Sequence, residues 1–295
     1  MMLKRFSINR ILKMTLFVFI FILLCLYPRR NNYELKTSSV LGKNFHDIYL
    51  LDSNNYVSKT TIYVSSIEKE KLAKDLITSL IINSKNNSKL PEGFKAVIPK
   101  GTIIQRVSIN NKYLIVSFNE NILKTKEKEK MLECIVYTLT SINNIDYVKM
   151  LINEKENNFF DSEYSRKLGV NKEYNITSLN NINDATIYYV SKYNDVNYYI
   201  PVTKYFNSNE DKIKIIIDEL SSRSSYQSNL MSYLNYDTKL INYTMDNNDL
   251  YLYFDHTLLG EDDKVLEEVI YSISYSIKDS YPVNNIHFYV DEKEI

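Results

Sequence analysis

Residues 102–123 read TIIQRVSINNKYLIVSFNENIL, and residues 238–259 read TKLINYTMDNNDLYLYFDHTLL. Set one above the other, Thr102 meets Thr238, Asn111 meets Asn247, Leu114 meets Leu250, Phe118 meets Phe254 and Leu123 meets Leu259. Identity is low, yet nearly every apolar position finds an apolar partner. The match continues outward. The helical row Leu132, Ile135, Val136, Leu139 becomes Leu266, Val269, Ile270, Ile273, and Val148, Met150, Ile152 becomes Ile286, Phe288, Val290. The chain therefore carries one packed module twice, which points to binding or assembly before it points to chemistry.

Within each copy the periodicity changes in a fixed order. In the first, Asp47–Leu51 and Thr60–Val64 read as short strands, and 67–82 as a helix with Leu72, Leu76, Ile77 and Leu80 on one face. Ser65 or Ser66 is its expected N-cap. Ile103–Ile109 and Tyr113–Phe118 alternate apolar with polar residues around Asn110-Asn111-Lys112, the pattern of a hairpin with one buried face. A helix over 126–142 and a strand over 147–152 close the copy. The second copy is predicted as strands 186–190 and 197–203, helix 209–222, strands 239–245 and 250–254, helix 262–277 and strand 286–290. Helices that bury one face of a sheet meet both patterns, so the fold class is α+β, two tandem two-layer α/β sandwich modules. The expected boundaries are 45–153 for the first module and 185–295 for the second. The segment 154–184 is a linker whose Phe159, Phe160, Tyr164, Leu168 and Val170 predict partial docking.

Ahead of the modules, Lys4, Arg5, Arg10 and Lys13 precede an unbroken apolar run at 14–27, closed by Pro28-Arg29-Arg30. A helical span takes about 20 residues, about 17 at the least, so the run reads as a short transmembrane anchor or an uncleaved signal. No small-x-small cleavage site follows it, and Leu23-Leu24 before Cys25 is not a lipidation signal. Residues 1–13 become a basic cytoplasmic tail and 28–44 a tether. The charge bias predicts an extracytoplasmic C-terminal region. Eight of the 36 Lys and Arg residues lie in 1–44 with a single Glu there, while Asp and Glu also total 36, so the region beyond is acidic. An acidic ectodomain excludes nucleic acid as the expected partner.

Beyond Cys25 there is one cysteine, Cys134, in an apolar helical pattern, so no disulfide and no thiolate metal site are expected. His46, His256 and His287 lack metal-ligand spacing. His256 beside Asp255 is the one histidine–carboxylate neighbour pair to test as a base. Glu127, Glu129, Glu133, Asp262, Asp263, Glu267 and Glu268 fall on or just before helices and read as solvated faces. No catalytic residue, metal or cofactor is expected.

The stretch LPEGFKAVIPKGTIIQRVSINNKYLIVSFNENIL at 90–123 resembles the GerM domain of sporulation proteins, through Gly93, Ile98-Pro99, Gly101-Thr102 and the hairpin ending in Phe118. The linker text SRKLGVNKEYNITSLNNIND at 165–184 is similar to that family's inter-domain segment. Copy two departs from it, with Leu234-Asn235-Tyr236-Asp237-Thr238 in place of the Pro-x-Gly-Thr turn. The resemblance implies a role in building the spore envelope between mother cell and forespore, in cortex peptidoglycan and in later germination, with modules similar to ring-building ones. It implies no catalytic residues. Gly93, Pro99, Gly101 and Thr102 are assigned to turn geometry.

The chain has 26 tyrosines and no tryptophan, and many fall in copy two: Tyr188, Tyr189, Tyr193, Tyr198, Tyr199, Tyr205, Tyr226, Tyr233 and Tyr236. Compositional drift accounts for such an excess, and the alternative is a partner-binding sheet face with Tyr243, Tyr251 and Tyr253 as its candidates. The favoured reading is a membrane-anchored, non-enzymatic scaffold that binds envelope proteins, among them a ring-forming channel component. The alternative is a peptidoglycan-binding or peptidoglycan-remodelling protein whose tyrosines stack on sugar rings.

Overall fold

The computed structural model describes residues 44–222, 230–260 and 263–295. The tail at 1–13, the apolar segment at 14–27 with Cys25, the tether as far as 43, Tyr226 and Asp262 lie outside the described residues. Among the described residues no helix is long and apolar enough to cross a membrane.

The first copy runs hairpin, helix, hairpin, helix, strand. β1 (Phe45–Leu51) and β2 (Val57–Tyr63) pair antiparallel and lead into α1 (Lys69–Leu80). β3 (Ile104–Asn110) and β4 (Tyr113–Phe118) form the second hairpin. α2 (Lys128–Leu139) then crosses back, so that β5 (Tyr147–Ile152) lies parallel to β4, a pairing that needs a crossover of this length. Leu114, Val116 and Phe118 on β4 and Val148, Met150 and Ile152 on β5 share one face. They form a single core with Leu76 and Ile77 of α1 and Ile135 and Leu139 of α2. α1 starts at Lys69 without a side-chain cap, and the expected cap Ser66 instead donates to Asp75 at 2.5 Å.

β6 (Glu173–Asn175) lies between the copies. The second copy then repeats the order with β7 (Ile182–Tyr193), β8 (Val196–Asn207), α3 (Lys212–Ser221), β9 (Leu240–Asp246), β10 (Asp249–Phe254), α4 (Glu267–Ser280) and β11 (Asn285–Val290). A short β12 (Lys293–Glu294) follows.

The strands do not form one sheet per module. β3-β4-β5 is private to the first copy and β12-β11-β10-β9 to the second, but the first hairpins of both copies merge into one five-stranded sheet. Its order is β1-β2-β8-β6, with β7 on the other edge of β8. β2 and β6 thus share one edge of β8, β2 meeting it at Lys59↔Tyr199 and β6 at Glu173↔Lys204.

Pro201 sits in β8 where those two neighbours part, and a proline in a central strand leaves the ladder one donor short. The side chain of Asn171 fills that gap. Its amide nitrogen donates to the carbonyls of Val57 (2.8 Å) and Pro201 (2.7 Å), and its oxygen accepts from Val57 N–H at 3.0 Å. Asn171 holds a left-handed backbone (φ 44), a conformation asparagine tolerates better than most residues. Its own N–H donates to Glu133, whose carboxylate is 1% exposed and lies 3.6 Å from Lys130.

Behind this sheet the copies meet through reciprocal contacts. Tyr49 N–H donates to Thr138 Oγ1 at 2.9 Å in the first copy, and Tyr188 N–H donates to Ser276 Oγ at 2.8 Å in the second. Tyr49 packs edge-on to Tyr137, Tyr188 packs against Tyr275, and the hydroxyls of Tyr49 and Tyr188 meet across the seam at 2.9 Å. Each half also holds a cation over a ring. Lys59 stands 4.2 Å above Tyr275, and the Arg166 guanidinium 4.7 Å from the Tyr137 ring centre. Arg166, carried by the linker, pairs with Asp279 of α4 and donates to Thr140 Oγ1, the Tyr137 carbonyl and the Tyr188 hydroxyl. Asp279 is 3% exposed at its side chain. Burial would pull the Lys59 pKa down, but Asp47 at 2.7 Å and the ring oxygens outweigh it and raise it.

Breaking one partner of a buried ion pair strands the other charge, at a cost of about 3–5 kcal/mol. Arg166→Ala is expected to lower unfolding stability by that order in urea denaturation. Arg166→Lys is expected to recover little of it, because a single ammonium cannot reach the same spread of acceptors. Glu133 gives a pH signature. Burial, opposed by Lys130 and the Asn171 N–H, raises its carboxyl pKa above the unfolded value. The native state therefore binds the extra proton between those two values, and the buried charge is a liability at higher pH. Glu133→Gln is expected to melt at or above the wild-type temperature at pH 7. That difference should shrink as the pH falls through the raised pKa, measured by thermal melts across a pH series.

Candidate partner-binding surfaces

The motif residues of copy one build a turn and a contact. Thr102 N–H bonds to the Pro99 carbonyl at 3.2 Å with Gly101 at φ +81, a turn whose third position favours glycine. Asn121 locks it by donating to the Gly101 carbonyl at 2.7 Å. Thr102 itself is buried. In copy two Thr238 N–H reaches the Asn235 carbonyl at 3.0 Å, and neither Tyr236 nor Asp237 has positive φ, so that turn needs no glycine. Gly93 does more than turn the chain (φ +84). A Cβ there would lie 2.9 Å from the Tyr193 ring, at the tip of the β7–β8 hairpin of the other copy. Beside it Phe94 packs edge-on to Tyr198, whose hydroxyl donates to the buried Asp52 at 3.0 Å.

The expected tyrosine face divides in two. Tyr251 and Tyr253 alternate with the buried Leu250, Leu252 and Phe254, so they stand on the outer side of the β9–β12 sheet. Tyr243 pairs directly opposite Leu252, and opposed residues of an antiparallel pair share a face. It therefore lies on the inner side, its hydroxyl turned to Asp211 at the start of α3, where Tyr281 also donates at 3.4 Å. The grouping of Tyr243 with Tyr251 and Tyr253 is corrected accordingly. On the outer side Tyr251 stacks on His287 (4.8 Å, 10°) and Tyr253 on Tyr289 (5.0 Å, 29°) across the parallel β10–β11 pair. Each such stack occupies one face of each ring. Much of the remaining tyrosine excess is structural: Tyr188, Tyr189 and Tyr198 are buried, and Tyr205 stacks on Tyr174.

The histidines find carboxylates other than the one expected. His256 Nδ1 lies 3.1 Å from Asp291 on an exposed surface, whereas Asp255 accepts from Lys239 N–H and the Thr257 hydroxyl. His287 Nδ1 lies 2.7 Å from Glu294, and His46 is on the partly buried β1. Glu133, read as part of a solvated helical face, is buried. Among the described residues no group of three His, Cys, Asp or Glu could hold a metal ion. Cys134 is free and buried, its thiol pushed well up by burial.

A duplicated α+β module with a shared central sheet and two private outer sheets defines the class. The family model described as "Germane: Sporulation and spore germination" matches residues 47–158 and again 186–295, and the chain belongs to that family. Spore germination protein GerM of Bacillus subtilis (strain 168) is 28% identical over 263 residues, 84% of this chain and 71% of that protein. The solved structure of the tandem GerMN domains of the sporulation protein GerM from Bacillus subtilis superposes with a TM-score of 0.75 at 28% identity. It covers 84% of this chain and 91% of that one. The tandem α+β architecture is thus shared with a solved relative, and the kinship supports a sporulation-related role.

Gly93→Ala adds a methyl against the Tyr193 ring at a left-handed backbone position, a combined strain of about 1–3 kcal/mol. Chemical denaturation is expected to register a loss in that range. Gly101→Ala, with only the Asn121 amide at 3.3 Å in the way, is expected to lose less.

Proposed function

We propose that the protein is a membrane-anchored assembly factor of the sporulation envelope. It is held by residues 14–27 with its modules outside the cytoplasm, in the space between mother cell and forespore membranes. In this reading it binds envelope proteins, a ring-forming channel component among them, and carries out no bond-making of its own. The observation that carries it is the buried seam of Asn171, Arg166 and the reciprocal tyrosines. A seam of that kind fixes the two private sheets in one rigid relation, as a bridge between two partners requires. Family membership supports the sporulation setting.

The wall-binding alternative needs aromatic faces open to sugar rings. The stacking of Tyr251 on His287 and of Tyr253 on Tyr289 takes up one face of each ring and so leaves less aromatic surface for a sugar.

In vivo crosslinking of the full-length chain in sporulating cells is expected to recover a small set of envelope proteins, and Arg166→Ala to reduce that recovery relative to the amount of chain present. Co-sedimentation of the purified chain with cell-wall sacculi would move the reading to the wall. Release of muropeptides would make the protein an enzyme.

A further inference from the structure

Four strand edges flank the two private sheets, and on three of them a described residue bonds to outward backbone groups. β5 is covered by Tyr164, which exchanges two backbone bonds with Val148, both 2.8 Å. β11 is covered by β12 and by Ile295 N–H on the Phe288 carbonyl at 3.0 Å. On β3, one of the two outward N–H groups, that of Ile109, donates to Glu70 Oε1 of α1 at 3.0 Å, and that of Val107 has no described partner. β9 is the exception. Glu70 lies in the first turn of α1, whereas its counterpart Glu210 precedes α3, and no described residue takes the matching position on β9.

The register of β9 defines what faces outward. Asn247 and Asn248, with φ of 48 and 73, form a tight two-residue turn closed by Asp246 and Asp249. Backbone groups of Asp246, Thr244 and Asn242 then serve β10, and those of Met245 and Tyr243 point away from the sheet. No described residue bonds to the outward N–H of either. Met245 is 48% exposed and Ile241, at the bulge, 68% exposed. An open edge of this kind is a template for another strand.

We propose that the occupant is a second copy of this chain, β9 pairing antiparallel with the partner's β9 about Thr244, so that two four-stranded sheets become one of eight strands. The sequence LINYTMD of β9 is self-complementary in that register and in no neighbouring one. Tyr243 falls opposite the partner's Met245 in the bonded pairs, each exchanging both backbone bonds, with the sulfur laid against a ring. Thr244 meets the partner's Thr244 on the axis, a favourable cross-strand pair. Asp246, the one charge in the strand, meets the amide of the partner's Asn242, and the two Asp246 carboxylates stand at opposite ends of the ladder. A shift of one residue breaks the alternation of bonded and non-bonded sites. A shift of two sets Asp246 against Leu240 or shortens the ladder. The bulge at Ile241 ends the regular stretch, so the ladder spans 242–246.

Opposed residues at a non-bonded site lie about 4.5 Å apart between Cα atoms, within disulfide reach. Full-length Thr244→Cys, in detergent under mild oxidation, is expected to form a disulfide dimer several-fold more than wild type. Ser108→Cys, the matching site on β3, where Glu70 occupies the Ile109 N–H that a partner strand would need, serves as the control and should stay at the wild-type level. Adding Met245→Pro removes an outward N–H without touching a β10 bond, and should abolish the crosslink with melting little changed. Asn242→Asp, which sets carboxylate against carboxylate, should weaken the crosslink at low salt, and high salt should restore it by screening the repulsion. A Thr244→Cys crosslink no stronger than that of Ser108→Cys, or one indifferent to both second substitutions, overturns the proposal. Either result leaves the assembly-factor reading to its own crosslinking test.

Discussion

A guanidinium removed from water must recover its lost hydration from fixed acceptors, and Arg166 does so by drawing on both halves of the chain. Asp279 and Tyr188 come from the second copy, Thr140 and the Tyr137 carbonyl from the first, and the ring of Tyr137 lies under its plane. The two halves cannot part without breaking the Arg166–Asp279 pair and the hydrogen bonds gathered around it. The shared sheet, the position of Tyr49 against Tyr188 and the separation of the private sheets all follow from keeping that cluster intact.

Reciprocity explains why the seam can be so well satisfied with few residues. Each copy supplies the same parts: a tyrosine on the first strand, a hydroxyl on the second helix to accept its N–H, and a second tyrosine beside it. The cations break the symmetry. Lys59 comes from β2 itself, whereas Arg166 comes from the segment that joins the copies. A duplicated module thus acquired a joint in which the connection serves as a structural member. Asn171 plays the same part for the backbone, its side-chain amide donating to the Val57 and Pro201 carbonyls beside the proline that lacks an N–H.

What the sequence disclosed follows its periodicities. Alternation in 103–118 and 239–254 located both second hairpins to within a residue or two, and the apolar row on 131–142 named the buried stripe of α2, because a half-buried element repeats its burden along its own length. The seam has no period. Arg166 and Asn171 are single polar residues in an Asn-rich stretch, and their importance lies in partners far away along the chain. Tyr243 was legible in part: with Asn247-Asn248 taken as a two-residue turn, counting outward sets it opposite Leu252 and so inside. Composition misled where it was read as surface. Tyrosine clusters in copy two because the joint and the sheet interior use it, as Tyr188, Tyr189 and Tyr198 demonstrate.

The linker is stitched on both sides. Tyr164 pairs with β5, Val170 and Thr203 exchange bonds, Asn171 binds Val57, and β6 extends the sheet along β8. Covalent continuity is therefore redundant for cohesion here. A protease that nicked the exposed stretch around 156–158 would yield two fragments that migrate as one particle until denatured, much as a cut rope stays whole when its strands are spliced.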